Sequence, residues 1–217
     1  MSTNEACPLC DAGRTGLFHR DDVREYRRCA HCALTFVPSS FHLSHKDEHA
    51  RYRTHQNHPD DPGYRAFLDR LASRLVPKLT AGAAGLDYGS GPGPTLSVML
   101  EEQGFAMRNY DPYFAPDETA LAAGYDFITC TETVEHFASP AREFGRFGRM
   151  LRPGNWLGVM TQMLERDAGF ADWWYRRDPT HICFYREETM RWIAAHYGWH
   201  MESPAPNVTL FQAKGDD

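Results

Sequence analysis

Four cysteines stand in the first 32 residues as two Cys-x-x-Cys pairs, CPLC and CAHC. They are Cys7 and Cys10, then Cys29 and Cys32, with 18 residues between the pairs. A two-residue gap lets both thiolates of a pair turn toward one point, and two such knuckles supply the tetrahedral four-sulfur shell that zinc accepts. Two disulfides or four free thiols are the alternatives, but disulfides need an oxidising compartment, which nothing in the sequence indicates. Four sulfurs leave no position for water or substrate, so the metal would be structural. It would supply stability that about 35 residues cannot draw from apolar burial alone. His19 and His31 read as bystanders to a filled shell, and Cys130 and Cys183 as small buried hydrophobes rather than nucleophiles.

A second constellation is the segment GLDYGSGPGP followed by NYDPYF. It reads as a buried strand through Leu86 to Tyr88, a loop with Gly89, Gly91 and Gly93, and a helix with Leu96, Met99 and Leu100 on one face, closed by Gly104. A second strand then ends at Asp111. This is a β-α-β unit with an acid at the carboxyl end of its second strand, placed to accept two ribose hydroxyls. A dinucleotide loop, G-x-G-x-x-G, cradles a pyrophosphate with backbone amides. Here Pro94 stands where the third glycine should be, and Pro92 and Pro94 have no N–H to donate. A loop stripped of donors is a poor phosphate cradle, yet it can pass beneath a ribose and a cationic sulfonium. S-adenosylmethionine is favoured over NAD.

Two places could serve an acceptor. Glu132, Glu135 and His136 follow an apolar strand, Phe127 to Cys130, at the end where open α/β sheets bind ligands. Further on, Trp173, Trp174, Tyr175, Phe184 and Tyr185 surround His181 in sequence. They could form a pocket wall, with His181 as base and Arg176 or Arg177 meeting an anion, or they could equally fill core. Of the two histidines His181 is preferred as the base, with His136 and Glu132 as the other candidates.

The run DYGSGPG, NYDPYF, YDFITCTETVEHF and LRPGNWLGVMTQM, from about Gly63 to the end, resembles the class I S-adenosylmethionine-dependent methyltransferase family. The resemblance implies that Asp87 helps hold the methionine moiety, that Gly89, Gly91 and Gly93 lie under the cofactor, and that Asp111 binds the ribose. It also implies that the strand ending at Thr131 and Glu132 borders the methyl-transfer site. The cysteine pairs resemble zinc modules attached to some methyltransferases. Only 14 residues separate Asp111 from Asp126, too few for the family's third strand and its helices. That strand's adenine-contacting acid has no clear counterpart, and Asp117, Glu118 or residues near Thr129 are the candidates.

These residues must be positioned by an α/β fold: a Rossmann-like, mostly parallel sheet of about six strands with helices on both faces, plus the small zinc ribbon. The expected division is a ribbon over 1–38, a linker over 39–62 and the methyltransferase domain over 63–217. The linker holds His42, His45, His49, His55 and His58 without apolar period, and Tyr52 or Tyr64 could reach from it or beyond it into a pocket. Tyr64, Phe67, Leu68, Leu71 and Leu75 mark a helix ended by Pro77. Ser139-Pro140 starts another, stopped by Pro153-Gly154, with Phe144, Phe147 and Leu151 buried and Arg142, Arg146 and Arg149 on a solvated face. The last residues read as two strands of an antiparallel edge.

Of 217 residues 42% are hydrophobic, enough for a core, and 23 basic against 29 acidic residues give a net charge of −6. That balance disfavours nucleic acid as a partner. No signal peptide or membrane span is read, so a cytoplasmic location is expected. The expected function is methyl transfer from S-adenosylmethionine to a small molecule. Methylation of an RNA base, or a non-catalytic zinc-dependent interaction module, are the alternatives.

Overall fold

The structure, a computed structural model, describes residues 5–54 and 58–215. His55 of the connecting stretch lies outside them. The chain opens with an antiparallel hairpin, β1 (Thr15–Arg20) and β2 (Glu25–Cys29), joined by a short β3 (Thr35–Phe36). Two helices follow, α1 (His45–Tyr52) and α2 (Pro62–Leu75). Next come β4 (Ala84–Tyr88), α3 (Thr95–Glu101), β5 (Ala106–Tyr110), β6 (Tyr125–Thr131), α4 (Pro140–Met150) and β7 (Leu151–Met160). The order ends with β8 (Cys183–Phe184), α5 (Glu187–Tyr197), β9 (His200–Ala205) and β10 (Val208–Gln212).

Six strands form one sheet in the order β5-β4-β6-β7-β10-β9. The first four are parallel, β10 is antiparallel to β7, and β9 is antiparallel to β10. Successive side chains of a strand point to opposite faces. Thus Phe127, Trp156 and Leu210 pack with Leu68 and Leu71 of α2 and Leu96 and Leu100 of α3. Their neighbours Ile128, Leu157 and Phe211 pack with Phe144 and Phe147 of α4 and Ile193 of α5. Both faces are covered, which is why these strands read as apolar runs. Gly158 permits the contact with α2: a Cβ there would stand 3.0 Å from Leu71 Cδ1.

The expected absence of a third strand is found beyond β5. From Asp111 to β6 the chain makes an Asp111–Ala115 bridge and a single tight turn at Ala120–Ala122, leaving β5 as the sheet's edge. Two boundaries differ from the sequence reading. Helix α4 stops at Met150, because Leu151 is buried as the first residue of β7, paired with Tyr125, and Gly154 turns with φ +76° inside that strand. Ser139 precedes α4 but makes no side-chain cap bond, leaving Pro140 as the starting signal. In the connecting stretch Ser44 Oγ accepts from the Asp47 amide and starts α1. None of the residues of α1 is buried, so no apolar period announces it.

The amino-terminal sheet is completed from far along the chain, since β3 pairs with β8 as well as with β2. Behind it Tyr26 and Val37 pack with Phe170, Tyr175, Ile182 and Phe184. Most of the aromatics expected around His181 are therefore core, with Trp173 packed against the same cluster and Trp174 exposed. The proposed anion contact of Arg176 is corrected: its guanidinium is bound to Asp21 at 2.5 Å and to the carbonyls of Phe170 and Ala171, and Arg177 is outside the cavity described below. Among the described residues no helix is long and apolar enough to cross a membrane.

Candidate active site

A cavity of about 470 Å³ opens at the carboxyl ends of β4, β5 and β6. The sequence-named Asp87, Gly89, Gly91, Gly93, Asp111, Thr131, Glu132, His136 and His181 all line it. Gly89 stands at φ +78° directly after β4, and a Cβ there would overlap the Thr133 side chain, so only glycine fits this turn. Four of the loop's five amides, all but that of Gly93, are spent internally. Gly89 and Ser90 donate to the Tyr110 carbonyl at 2.8 and 3.3 Å, Gly91 to Asp111 Oδ2 at 3.0 Å, and Thr95 to the Gly93 carbonyl at 2.7 Å. With two prolines between them, the loop has little to offer a pyrophosphate.

Asp111 is more constrained than its sequence position implied. Its Oδ1 accepts from the amides of Tyr113 and Phe114 at 2.8 and 3.0 Å, in addition to the Gly91 bond on Oδ2. Three of roughly four carboxylate lone-pair positions are filled, leaving about one for a ribose hydroxyl. Asp87 is buried, and its Oδ1 accepts from Thr129 Oγ1 at 2.8 Å. Burial, opposed by the Thr129 bond, pushes its carboxyl up to about 6. A carboxyl raised from its ordinary range disfavours folding as it ionises, so Asp87 destabilises the ligand-free protein progressively as pH rises to about 6. Asp87→Asn should therefore raise the melting temperature of the ligand-free protein at pH 7. A cationic ligand group would favour the ionised form, so affinity for S-adenosylhomocysteine should fall by up to about tenfold per pH unit below 6. Calorimetry from pH 5 to 8 tests this, and a flat profile in wild type removes the role given to Asp87.

The opposite wall was only partly legible. Tyr52 and Tyr64 both line the cavity, as do His45 and Glu48 of α1. The carboxylate of Glu48 accepts from the hydroxyls of Tyr52 and Tyr113 at 2.6 and 2.7 Å, and Arg51 binds Asp178 at 2.7 Å, fastening α1 across the site. The signal for this wall was the Ser44-x-x-Asp47 start, which resembles a capping box.

Beyond Thr131 the chain turns sharply, with Glu132 at φ +46°. Burial and the neighbouring Glu135 carboxylate push Glu132 up to about 9. Glu135 is fully buried, its carboxylate accepting from Thr161 Oγ1 at 2.9 Å and from the Tyr175 hydroxyl. His136 and His181 meet edge to face at 4.7 Å. Burial lowers His136, keeping its imidazole neutral at pH 7. Glu132 Oε1 and Ser90 Oγ are buried without hydrogen-bond partners among the described residues, and both residues line the cavity. Such orphaned polar atoms fit a polar ligand.

In the amino-terminal module the sulfurs of Cys7, Cys10, Cys29 and Cys32 lie within 4.8 Å of one another, with Cys7 to Cys32 and Cys10 to Cys29 each at 3.5 Å. Asp11 and Ala33, each directly after the second cysteine of its pair, take φ +56° and +59°, so both knuckles turn alike. Cys130 and Cys183 are buried elsewhere, and burial raises both thiols, which leaves neither as a thiolate nucleophile.

A family model described as a methyltransferase domain matches residues 54–203. The chain belongs to the methyltransferase-domain family. No curated protein matches it. Among solved structures, this chain is similar to an O-methyltransferase family protein from Burkholderia thailandensis, at 16% identity and a TM-score of 0.51. The match covers 78% of this chain and 64% of that one, just under two thirds of its length. A chain of the complex that contains the Haloferax volcanii Trm112 methyltransferase activator matches at 11% identity and a TM-score of 0.51, over 76% of this chain and 97% of that one. Haemonchus contortus phosphoethanolamine N-methyltransferase 2, in complex with S-adenosyl-L-methionine, matches at 17% identity and a TM-score of 0.49, over 66% and 39%. At these identities the likeness to the first two is one of fold alone.

Proposed function

We propose that this methyltransferase transfers the methyl group of S-adenosylmethionine to a small-molecule acceptor. The observation that carries the reading is the glycine loop, which lies beneath the cavity with the amides of Gly89, Ser90, Gly91 and Thr95 already engaged and Pro92 and Pro94 between them. It suits a phosphate-free nucleoside. When bound, the cofactor supplies a methyl carbon activated by sulfonium. Asp87 would meet the methionine end and Asp111 a ribose hydroxyl, directing the methyl toward Glu132, His136 and His181. Displacement at that carbon needs the acceptor held in line, so these side chains and the α1 wall act first by positioning. The acceptor's proton would pass to His136 or His181.

Cys7, Cys10, Cys29 and Cys32 fit a structural zinc ion, which would tie the two knuckles together and leave no site for chemistry. For the RNA alternative, Arg142 and Arg146 are paired with Glu143 and Arg152 with Asp126, which leaves Arg149 as the exposed arginine of α4 with no ion pair among the described residues. Calorimetry with S-adenosylhomocysteine and with NAD+ tests the reading. Binding of the first and indifference to the second are expected, and tight NAD+ binding without S-adenosylhomocysteine binding would overturn it.

A further inference from the structure

The acceptor half of the cavity contains a donor set that methyl transfer by positioning alone does not require. His136 Nδ1 lies 3.0 Å from the Thr180 carbonyl, and His181 Nδ1 lies 2.7 Å from the Tyr175 carbonyl. A carbonyl oxygen only accepts, so each Nδ1 carries the proton and each Nε2 carries the lone pair. This is how metal-binding histidines are commonly oriented, with the second nitrogen donating to a backbone carbonyl. Glu135, His136 and His181 each offer one ligand atom, and the three lie within 4.8 Å of one another. The Glu135 carboxylate is held by Thr161 Oγ1 and by the Tyr175 hydroxyl, which also lies 3.3 Å from Glu132 Oε2. Glu132 Oε1, beside them, is buried without a partner among the described residues. Two carboxylates crowd here, and a cation would neutralise their repulsion.

We propose that Glu135, His136 and His181, with Glu132 adjacent, form a second metal site that binds a divalent first-row cation and presents it to a hydroxyl-bearing acceptor. Two imidazoles and a carboxylate suit manganese, iron, cobalt or zinc, whereas the four-thiolate cluster selects a softer ion. The inference rests on the methyl acceptor lying in this half of the cavity. The acceptor hydroxyl coordinates the cation, which lowers its pKa, and with both Nε2 lone pairs on the cation its proton leaves to solvent rather than to a histidine. The new C–O bond forms as the S–CH3 bond breaks with its electron pair passing to sulfur, yielding methyl ether and S-adenosylhomocysteine. Nothing is oxidised or reduced, and the cation keeps its charge. An oxygen acceptor is thereby favoured over an amine.

The test uses the full chain with its cysteine cluster loaded with zinc. Mn2+ is titrated in and the loss of the free-ion signal is followed by electron paramagnetic resonance, with S-adenosylhomocysteine affinity measured in parallel. About one Mn2+ per chain is expected, with binding weakened by ~10- to 100-fold in Tyr175→Phe, which removes an outer-shell bond, and by more in His136→Gln and His181→Gln. Circular dichroism identifies a variant that fails to fold, and Tyr175→Phe, the mildest change, then decides. Wild-type protein that binds S-adenosylhomocysteine but no Mn2+ overturns the metal site and leaves the cofactor reading standing. Protein that binds Mn2+ but no S-adenosylhomocysteine does the reverse. Undiminished Mn2+ binding in both histidine variants also overturns the site.

Discussion

Asp111→Ala is expected to weaken S-adenosylhomocysteine binding by roughly 100-fold, through the lost ribose contact and a loosened glycine loop. A hydrogen bond to a charged group contributes about 1.5–3 kcal/mol, so losing one ribose contact accounts for roughly 10- to 150-fold. The rest depends on what Asp111 does before any ligand arrives. Its two oxygens tie Gly91 of the glycine loop to Tyr113 and Phe114 of the next turn, and all four residues line the cavity. Removing the carboxylate leaves those amides without their acceptor and lets the two loops separate. Asp111→Asn divides the contributions, because its remaining carbonyl oxygen can keep the Tyr113 and Phe114 bonds while the charge is lost. Calorimetry on both variants, beside melting temperatures, checks this. Unchanged affinity in the alanine variant would remove the ribose assignment. Alanine and asparagine variants of equal affinity would show that the bonds to Tyr113 and Phe114 carry nothing.

How much of this was legible in the sequence depended on how locally each feature is encoded. The helix over Tyr64 to Leu75 was written in its period, and the missing third strand in the count of residues between Asp111 and Asp126. The glycine loop was legible because proline and glycine act on backbone directly, whatever surrounds them. Helix α1 was not, because it buries none of its residues and is held by Glu48 and Arg51 reaching partners far along the chain, Tyr113 and Asp178. Nor could the sequence show that Tyr175 would donate to Glu135 while Trp173 and Phe184 turn to the ribbon. The aromatic run of Trp173 to Tyr175 looks uniform in sequence, and only tertiary packing decides which ring faces the site and which fills core. The pairing of β3 with β8 was equally out of reach, since strands of two residues leave no pattern.

Changing Cys7 and Cys29 to serine together should abolish metal binding and disable methyl transfer more severely than cofactor binding. Structural zinc in small modules supplies about 10–16 kcal/mol of apparent binding free energy, as much as the net stability of a whole domain. Loss of even 5 kcal/mol should lower the melting temperature by at least about 10 °C. The damage has a defined route. Pro8, within the first knuckle, accepts from the Ala141 amide at the start of α4, and Cys183 Sγ donates to the Phe137 carbonyl. Val37 donates to the Ile182 carbonyl, and Ile182 in turn to that of Glu135. The ribbon thus braces the segment that carries Glu135 and His136 and the strand that follows His181. Asp87, the glycine loop and Asp111 hang instead on β4 and β5, at the far edge of the main sheet. Metal analysis of wild type should return about one tightly held zinc per chain, absent in the double variant. S-adenosylhomocysteine binding should survive below the lowered melting temperature, while turnover, or Mn2+ uptake where no acceptor is in hand, should not. Wild-type protein free of metal, or a double variant that keeps its zinc, would remove the ribbon assignment. A variant that loses zinc yet retains an undisturbed acceptor half would show that the ribbon braces nothing.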